Sequence, residues 1–244
     1  MNNLITEITQ NAIFVLEFLG VVVVIFIAAK MIEMWEKKKT GDKERILTTR
    51  KLTMIGMFSA IAAILMLFEI PMPFAPAFYK LDFSEIPALI TAFAFGPVAG
   101  VMVEFCKIVL NLVMDSTTTA FVGELANFMV GCSFILPASI VYLYKKNRKS
   151  AILSCIVGTL CLTMFGTAFN AIYLLPKFAQ LYGMPLEAIV GMGTAINPAI
   201  TDITTLVMFA VAPLNIIKGV SVSIITMLVY KKLSRFMKAA QTTR

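Results

Sequence analysis

Long apolar runs separated by short charged segments constrain the fold of this chain more than any other feature. The first run, near residues 11–31, contains the stretch AIFVLEFLGVVVVIFIAAKMI. Later runs cover about residues 52–70, 98–114, 121–144, 151–175 and 198–230. A helix rises about 1.5 Å per residue, so about 20 apolar residues cross the ~30 Å hydrocarbon core of a bilayer. We therefore predict an all-α membrane protein.

The composition supports this class and excludes several others. The chain is 59% hydrophobic and only 14% charged, whereas soluble domains carry about 25% charged residues. It contains no histidine, which excludes imidazole general bases and H-E-x-x-H zinc sites. The four cysteines lie inside apolar runs without C-x-x-C spacing, so we interpret them as buried thiols. We expect no enzymatic activity, no metal and no cofactor.

Charge placement predicts the topology. Of the 21 Lys and Arg residues, 7 lie in residues 37–51, 4 in residues 145–149 and 5 in residues 231–244. Seven spans place all three clusters on one side, which the positive-inside rule assigns to the cytoplasm. We predict a multi-pass protein of the bacterial plasma membrane with a cytoplasmic C-terminus. The net charge is +7. We expect the Lys and Arg side chains that carry it to contact anionic lipid, and we do not expect nucleic-acid binding.

The runs divide the chain into four segments. We predict a separate N-terminal transmembrane helix at 1–36, a charged cytoplasmic linker at 37–51, a helical core at 52–238 and a tail at 239–244. Within the core, three prolines in PMPFAPAFYKLDF prevent a helix. Asp82 and Ser84 are both candidates to cap the next helix, which ends before the Gly96-Pro97 turn. Prolines and glycines predict a loop over residues 176–197.

Polar residues inside the apolar runs are costly in a membrane and are candidates for function. Glu104 and Lys107 are one helical turn apart and are expected to pair. Glu124 and Asn127 share one helical face, and Asn170 lies within its span. Asn215 and Lys218 place an amide and an ammonium on one face of the last helix. This pair either caps neighbouring carbonyls or binds a ligand that carries carbonyl or hydroxyl oxygens.

Small residues on the second span permit close helix packing. Gly56, Ala60 and Ala63 recur at spacings of four and three residues, which allows another helix to approach closely. The spacing leaves two interpretations open. The face packs inside the bundle, or it contacts a partner protein.

Five stretches occur in an order that resembles the riboflavin-specific S components of energy-coupling-factor (ECF) transporters. They are FYKLDFSEIPALI, FGPVAG, VGELANFMVG, NAIYLLP and APLNIIKGV, and the resemblance runs from about Arg50 to Met237. It implies a six-helix core, to which this chain adds one N-terminal transmembrane helix. The resemblance also implies that the proline-rich first loop forms a lid over an outward-facing pocket.

The resemblance implies capture of riboflavin, and of its phosphate ester FMN, for delivery with a transmembrane T component and two ATPase subunits. Aromatic rings of the lid, including Phe74, would stack on the flavin, and amides with a lysine would satisfy its imide edge and hydroxyls. The Gly56, Ala60 and Ala63 face would contact the T component. The expected binding residues are Phe78, Tyr79, Leu81, Asp82, Phe83, Glu124, Asn127, Asn170, Asn215 and Lys218.

Three alternatives remain open from the sequence. An S component for a different vitamin would keep the fold and change the pocket. An ion-coupled carrier would use intramembrane acids such as Glu104, Glu124 and Asp202. A membrane enzyme would need a carboxylate or lysine site. The chain has no G-x-x-x-x-G-K-[ST] motif, so ATP would have to be hydrolysed by separate subunits.

Overall fold

The computed structural model describes residues 12–41, 45–117 and 119–242, with side chains described as far as Val229. Residues 1–11 of the predicted N-terminal segment, 42–44 of the linker, Thr118, and 243–244 of the tail lie outside the described residues.

Helices dominate the described chain, with one short β-ribbon between the second and third helices. The elements in order are α1 (Ala12–Thr40), α2 (Thr49–Met66), β1 (Ile70–Pro71), β2 (Lys80–Leu81), α3 (Glu85–Phe95), α4 (Pro97–Asp115), α5 (Val122–Tyr144), α6 (Arg148–Phe169), α7 (Leu175–Tyr182), α8 (Leu186–Thr194), α9 (Ile203–Leu206) and α10 (Ala212–Thr242). Two π-helical turns, Asn170–Leu174 and Val207–Val211, join α6 to α7 and α9 to α10.

The helix lengths confirm a multi-pass membrane protein. Among the described residues, six helical segments are long and apolar enough to cross a bilayer, and α3 is a shorter apolar helix of 11 residues. Five of the long segments together with α3 form the six-helix core, and α1 is the additional N-terminal helix. The predicted fold class is therefore confirmed.

The turn between α3 and α4 lies at Gly96-Pro97, as the sequence predicts. Gly96 has φ 103°, a left-handed conformation that glycine tolerates. A Cβ on Gly100 would lie 2.6 Å from the Ala92 side chain. The absence of this Cβ allows the start of α4 to pack closely against α3.

The proline-rich lid contains more order than the sequence indicates. Residues 70–71 and 80–81 form an antiparallel ribbon, with Ile70 opposite Leu81 and Pro71 opposite Lys80. Ser84 occupies the N-cap position of α3 but makes no capping bond with its side chain, so that prediction was wrong. Its hydroxyl oxygen instead accepts a hydrogen bond from the Lys107 ammonium at 2.8 Å. Asp82 does serve this turn, because its Oδ1 accepts from the Ser84 N–H at 2.8 Å.

The loop predicted for residues 176–197 is instead largely helical, forming most of α7 and α8. Pro176 does not end the helix, which continues from Arg148 to Tyr182 and contains the π-helical turn Asn170–Leu174 just before this proline. Gly183, with φ 60°, ends α7, and Pro185 precedes α8. Gly183 and Pro185 therefore separate two short helices and do not lie in a long loop.

The additional helix α1 packs along α4 and α5. The rings of Phe18 and Phe128 lie 6.1 Å apart between centroids. Further along the helix, Glu33 is 3% exposed and its Oε2 accepts from the Val98 N–H at 3.2 Å. This carboxylate satisfies one of the N–H groups left free at the start of α4. Helix α1 is thus an integral part of the bundle in this structure.

Candidate functional site

One end of the bundle contains a cavity of about 590 Å³, within the range of small-molecule sites. Its walls come from the lid, the α4–α5 connection, the α6–α7 junction, α8 and α10. Its lining includes Phe78, Tyr79, Asp82, Asn111, Asp115, Thr119, Glu124, Asn127, Asn170, Phe178, Tyr182, Met192, Asn215 and Lys218. Aromatic and aliphatic walls with a small set of polar groups are typical of a ligand site.

Two asparagines form a buried amide wall. Asn170 begins the π-helical turn after α6, and its Nδ2 donates to the Gly166 carbonyl at 2.8 Å. The Asn170 Oδ1 accepts from the Tyr79 hydroxyl at 3.0 Å, which attaches the lid to α6. Asn215 is 5% exposed, and its Nδ2 has no hydrogen-bond partner among the described residues. A buried donor left unpaired is costly, so Asn215 is suited to a ligand acceptor.

Lys218 lies one turn from Asn215 and is bound by two carboxylates. Its Nζ is 3.0 Å from Asp82 Oδ2 and 2.9 Å from Glu85 Oε1. Burial alone would raise the pKa of Asp82, but the ammonium groups of Lys218 and Lys107 and hydrogen bonds from Ser84 hold this pKa below its usual range. An ammonium has three N–H donors. Two carboxylate contacts leave one N–H of Lys218 for a ligand.

The ion pairs continue beneath the cavity. The Lys107 ammonium lies 3.2 Å from Glu85 Oε1 and 2.8 Å from Glu104 Oε2. The predicted pairing of Glu104 with Lys107 is confirmed. Neither Glu85 nor Ser84 was predicted as a partner of these lysines, although Glu85 follows Asp82 by three residues at the helix start. We call Asp82, Glu85, Glu104, Lys107 and Lys218 the ion network.

A second polar wall lies on α4, α5 and their connection. Thr119 Oγ1 donates to Glu124 Oε2 at 3.0 Å. Gly123 allows this contact, because a Cβ there would lie 2.8 Å from Thr119 Oγ1. The Oδ1 of Asn127 is buried and accepts no hydrogen bond from the described part of the chain. Glu124 and Asn127 therefore share a cavity wall, as their spacing indicates.

The lid contributes two aromatic side chains. Phe78 is 43% exposed and its ring centroid lies 4.6 Å from that of Tyr79, which is buried. Burial raises the pKa of Tyr79, so its phenol stays protonated and donates to Asn170. Leu81 and Phe83 do not line the cavity; they pack in the apolar core behind it. The aromatic residues Phe178 and Tyr182 of α7 were missed because a loop was expected there.

The acids of the ion-coupled alternative have structural partners in this chain. Glu104 is fully buried against Lys107. Asp202 caps α9, where its Oδ1 accepts from the Thr205 N–H at 2.7 Å. Among the residues described, no cluster of histidine, cysteine, aspartate or glutamate has the arrangement of a metal site.

Residues 50–230 match the family described as "ECF transporter, substrate-specific component". The chain belongs to this family. The expectation that it is a transport subunit and not an enzyme is therefore confirmed, and members of this family need no cofactor. Helix α1 precedes the matched residues and is extra to the S component core.

Relatives named as riboflavin transporters align with most of this S component. "Riboflavin transporter RibU" of Staphylococcus aureus (strain TCH60) is 37% identical over 78% of this chain and 93% of the relative. "Riboflavin transporter FmnP" of Bacillus subtilis (strain 168) is 31% identical over 78% of this chain and 94% of the relative. A solved structure, "Structure and mechanism of the S component of a bacterial ECF transporter", aligns with a TM-score of 0.60 and 36% identity over 78% and 98% of the two chains.

The three small residues predicted to share one face of α2 differ in their exposure. Gly56 and Ala60 are exposed, with apolar Leu52 and Met57 beside them. Ala63 is only 1% exposed because it packs inside the chain. The exposed small surface is thus limited to Gly56 and Ala60, and Ala63 does not share it.

Proposed function

We propose that this S component binds riboflavin in the cavity and delivers it across the membrane. The observation that carries the proposal is the Nδ2 of Asn215, which has no hydrogen-bond partner in the part of the chain that the structure describes. It lies beside Lys218, and both residues are buried in an aromatic-walled cavity of about 590 Å³. The relatives named as riboflavin transporters support the same ligand.

The chemistry of riboflavin matches the two ends of the cavity. Its flat ring system requires apolar and aromatic contact, which Phe78 and Phe178 provide. The carbonyl oxygens of its imide edge require donors, and Asn215 and Lys218 supply them. Burial without these donors would cost about 1–3 kcal/mol for each unpaired group. We therefore place the ring deep in the cavity, with its imide edge on Asn215 and Lys218.

The direction of transport follows from the charge clusters. We infer that the ends of α1, α5 and α10 that carry the Lys and Arg clusters lie in the cytoplasm, so the C-terminus is cytoplasmic. The cavity adjoins the α2–α3 lid and the α4–α5 connection, which this topology places outside. Riboflavin would then enter from outside and leave toward the cytoplasm.

The partners follow from the family. An S component works with a transmembrane T component and ATPase subunits, and we propose two ATPase subunits. We propose that the exposed Gly56 and Ala60 of α2 contact the T component. Small residues permit close helix approach where lipid supplies no hydrophobic driving force.

A binding titration tests the ligand. Full-length protein purified in detergent is titrated into riboflavin, with thiamine and biotin as controls, and flavin fluorescence is recorded. We expect stoichiometric quenching with riboflavin and no competition from the other two vitamins. Protein that is colourless after growth with riboflavin, and that fails to quench added riboflavin, would reject the assignment.

An uptake assay tests the partner surface separately. Ala60→Trp should leave riboflavin quenching unchanged and reduce cellular riboflavin uptake several-fold, because the indole would hold the T component away. Met164→Trp is the matched control, since Met164 is 74% exposed on another helix. Normal uptake with Ala60→Trp would show that α2 is not the docking surface.

A further inference from the structure

The ion network contains three acids and only two bases. The acids are Asp82, Glu85 and Glu104, the bases are Lys107 and Lys218, and none of the five is more than 8% exposed. With every group in its usual charged state, the network would carry one uncompensated negative charge. Burial of an uncompensated carboxylate is so costly that the group takes up a proton and becomes neutral instead. One of the three acids is therefore expected to be protonated.

Asp82 and Glu85 both have contacts that favour the ionised form. Asp82 accepts a hydrogen bond from the Ser84 N–H and pairs with Lys218. Glu85 lies in the first turn of α3, where the helix dipole favours negative charge. Its Oε1 contacts the ammonium groups of both lysines. These two carboxylates balance the charges of the two lysines.

Glu104 has the weakest support for a negative charge. It lies in the middle of α4, away from a helix N-terminus, and it is fully buried. Its Oε2 lies 2.8 Å from the Lys107 ammonium, which also contacts Glu85. Its Oε1 has no hydrogen-bond partner within the part of the chain that the structure describes. The carboxyl group lies directly against α5, since a Cβ on Gly131 would overlap it.

Glu85 offers an acceptor for a proton on Glu104. The Oε2 of Glu85 is buried and accepts no hydrogen bond from the described residues. Both carboxyl groups contact the same Lys107 ammonium, so they are neighbours in the bundle. When two carboxyl groups share a site, ionisation of both is strongly disfavoured. A neutral carboxyl group can donate its proton to a carboxylate oxygen, so protonation of Glu104 would satisfy an unpaired oxygen on each residue.

From this arrangement we propose that the ion network binds one proton for charge balance, and that Glu104 holds this proton as a neutral carboxyl group. Glu104 then accepts a hydrogen bond from Lys107 and donates one to Glu85. The remaining charges, two carboxylates and two ammonium groups, cancel within the membrane. The proton belongs to the ligand-free bundle, so it is independent of the ligand that the cavity binds.

Helices α1, α2 and α5 also pack against α4, and their ionisable side chains do not supply the missing cation. Apart from residues 36–50 at the charged helix ends, these side chains are Glu17, Lys30 and Glu33 on α1, Lys51 on α2, and Glu124 and Cys132 on α5. Glu124 and Cys132 cannot be cations. Lys51 interacts electrostatically with Glu33, so this pair adds no net charge. Lys30 is exposed on the surface of the bundle.

Infrared difference spectra test whether Glu104 is protonated. Spectra of full-length, ligand-free wild type and Glu104→Gln are recorded at neutral pH in a detergent without ester groups. A protonated carboxyl group has a carbonyl stretching band above the amide I band, and this band shifts in D2O. We expect Glu104→Gln to lose one such band relative to wild type. Glu187→Gln, exposed on α8, is the control and should retain the band.

A second variant tests the charge balance. Glu85→Gln removes one acid from the network, so Glu104 should release its proton and pair with Lys107 as a carboxylate. The carboxyl band should therefore disappear although Glu104 itself is unchanged. A band that persists in Glu85→Gln would show that charge balance does not set the protonation of Glu104, and it would overturn the proposal.

The stability of Glu104→Gln is also informative. Glutamine has nearly the shape of a neutral glutamic acid, with an acceptor for Lys107 and a donor for Glu85. The variant should therefore fold and unfold at a thermal midpoint close to that of wild type. A variant that does not fold, or one whose infrared spectrum retains the carboxyl band of wild type, would indicate an ionised Glu104 and would overturn the proposal.

Discussion

Two buried polar regions of the molecule differ in how their hydrogen-bonding groups are satisfied. In the ion network, both Lys107 and Lys218 contact two carboxylates each. In the cavity walls, Asn215 Nδ2 and Asn127 Oδ1 have no partner among the described residues. The first region joins the lid turn, α4 and α10, whereas the second faces an open volume.

This difference distinguishes positions that stabilise the fold from positions that we propose bind a ligand. Buried charges are stable only when paired, so the ion network commits its cations to the chain itself. Unpaired buried amides are costly unless another molecule completes them. Lys218 belongs to both regions, since it closes the network and lies beside Asn215 in the cavity.

The largest expected effect comes from breaking the ion network at its centre. Lys107→Met leaves Glu104 buried without its cation and leaves Glu85 paired with Lys218 alone. It should destabilise the protein by about 3–5 kcal/mol, seen as a lower thermal unfolding midpoint in detergent. Lys80→Met is the control, because its exposed pair with Glu69 contributes only about 0–1 kcal/mol. Equal midpoints for the two variants would contradict the structural role of the network.

A smaller effect is expected where α6 approaches α10. A Cβ on Gly166 would lie 2.6 Å from Asn215 Nδ2, so Gly166→Ala should displace the amide and weaken riboflavin binding about tenfold or more. Gly56→Ala is the matched control, because its Cβ would meet no atom within 4 Å. Riboflavin affinity is measured by fluorescence quenching. Equal affinity in the two variants would show that Asn215 does not contact the ligand.

A still smaller effect is expected at the contact between lid and helix. Tyr79→Phe removes the hydrogen bond to Asn170, whose net contribution is about 0.5–1.5 kcal/mol. Riboflavin should dissociate a few-fold faster in stopped-flow measurements, since the lid is held less firmly. Phe78→Leu retains that hydrogen bond and removes ring contact, so it should affect equilibrium affinity more than Tyr79→Phe does. The reverse order would show that the hydrogen bond matters more than the ring.

Almost no effect is expected from moderate acidification. The pKa of Asp82 lies below its usual value of 3.8, so its carboxylate stays ionised and paired with Lys218 from pH 7 to pH 5. The stabilisation by this pair is present above the usual pKa and is lost only as the pH falls through the lowered value. The contribution of the Asp82–Lys218 pair to riboflavin affinity should thus be level across that interval. A marked fall between pH 7 and pH 5 would show that the pair titrates within it.

Much of the fold could be predicted from the sequence because membrane helices are local. Their length, the Gly96-Pro97 turn and the Glu104–Lys107 pair depend on neighbours along the chain. Helix α7 was missed because a proline usually ends a helix, whereas here the helix continues past Pro176 after a π-helical turn. Helix α8 was missed because it contains Gly191 and Gly193. The β-ribbon was missed because its two strands are two residues each.

Eight of the ten predicted binding residues line the cavity, and Leu81 and Phe83 do not. The connections among these residues were not predictable. Spacing placed Asn215 with Lys218 and Glu124 with Asn127, and the structure brings all four to one cavity. The double pairing of Lys218 depends on Asp82, which is 136 positions away, and no local pattern encodes that distance. Ala63 likewise shares a spacing with Gly56, yet it is buried by residues from other helices.

Titrating riboflavin into Asn215→Leu tests the central claim most directly. Leucine keeps the volume and removes the donor that has no partner within the described chain. We predict that riboflavin affinity falls at least about tenfold, or about 1.4 kcal/mol, while the thermal midpoint of the ligand-free protein stays level or rises. Unchanged riboflavin affinity would contradict the claim that Asn215 holds the vitamin.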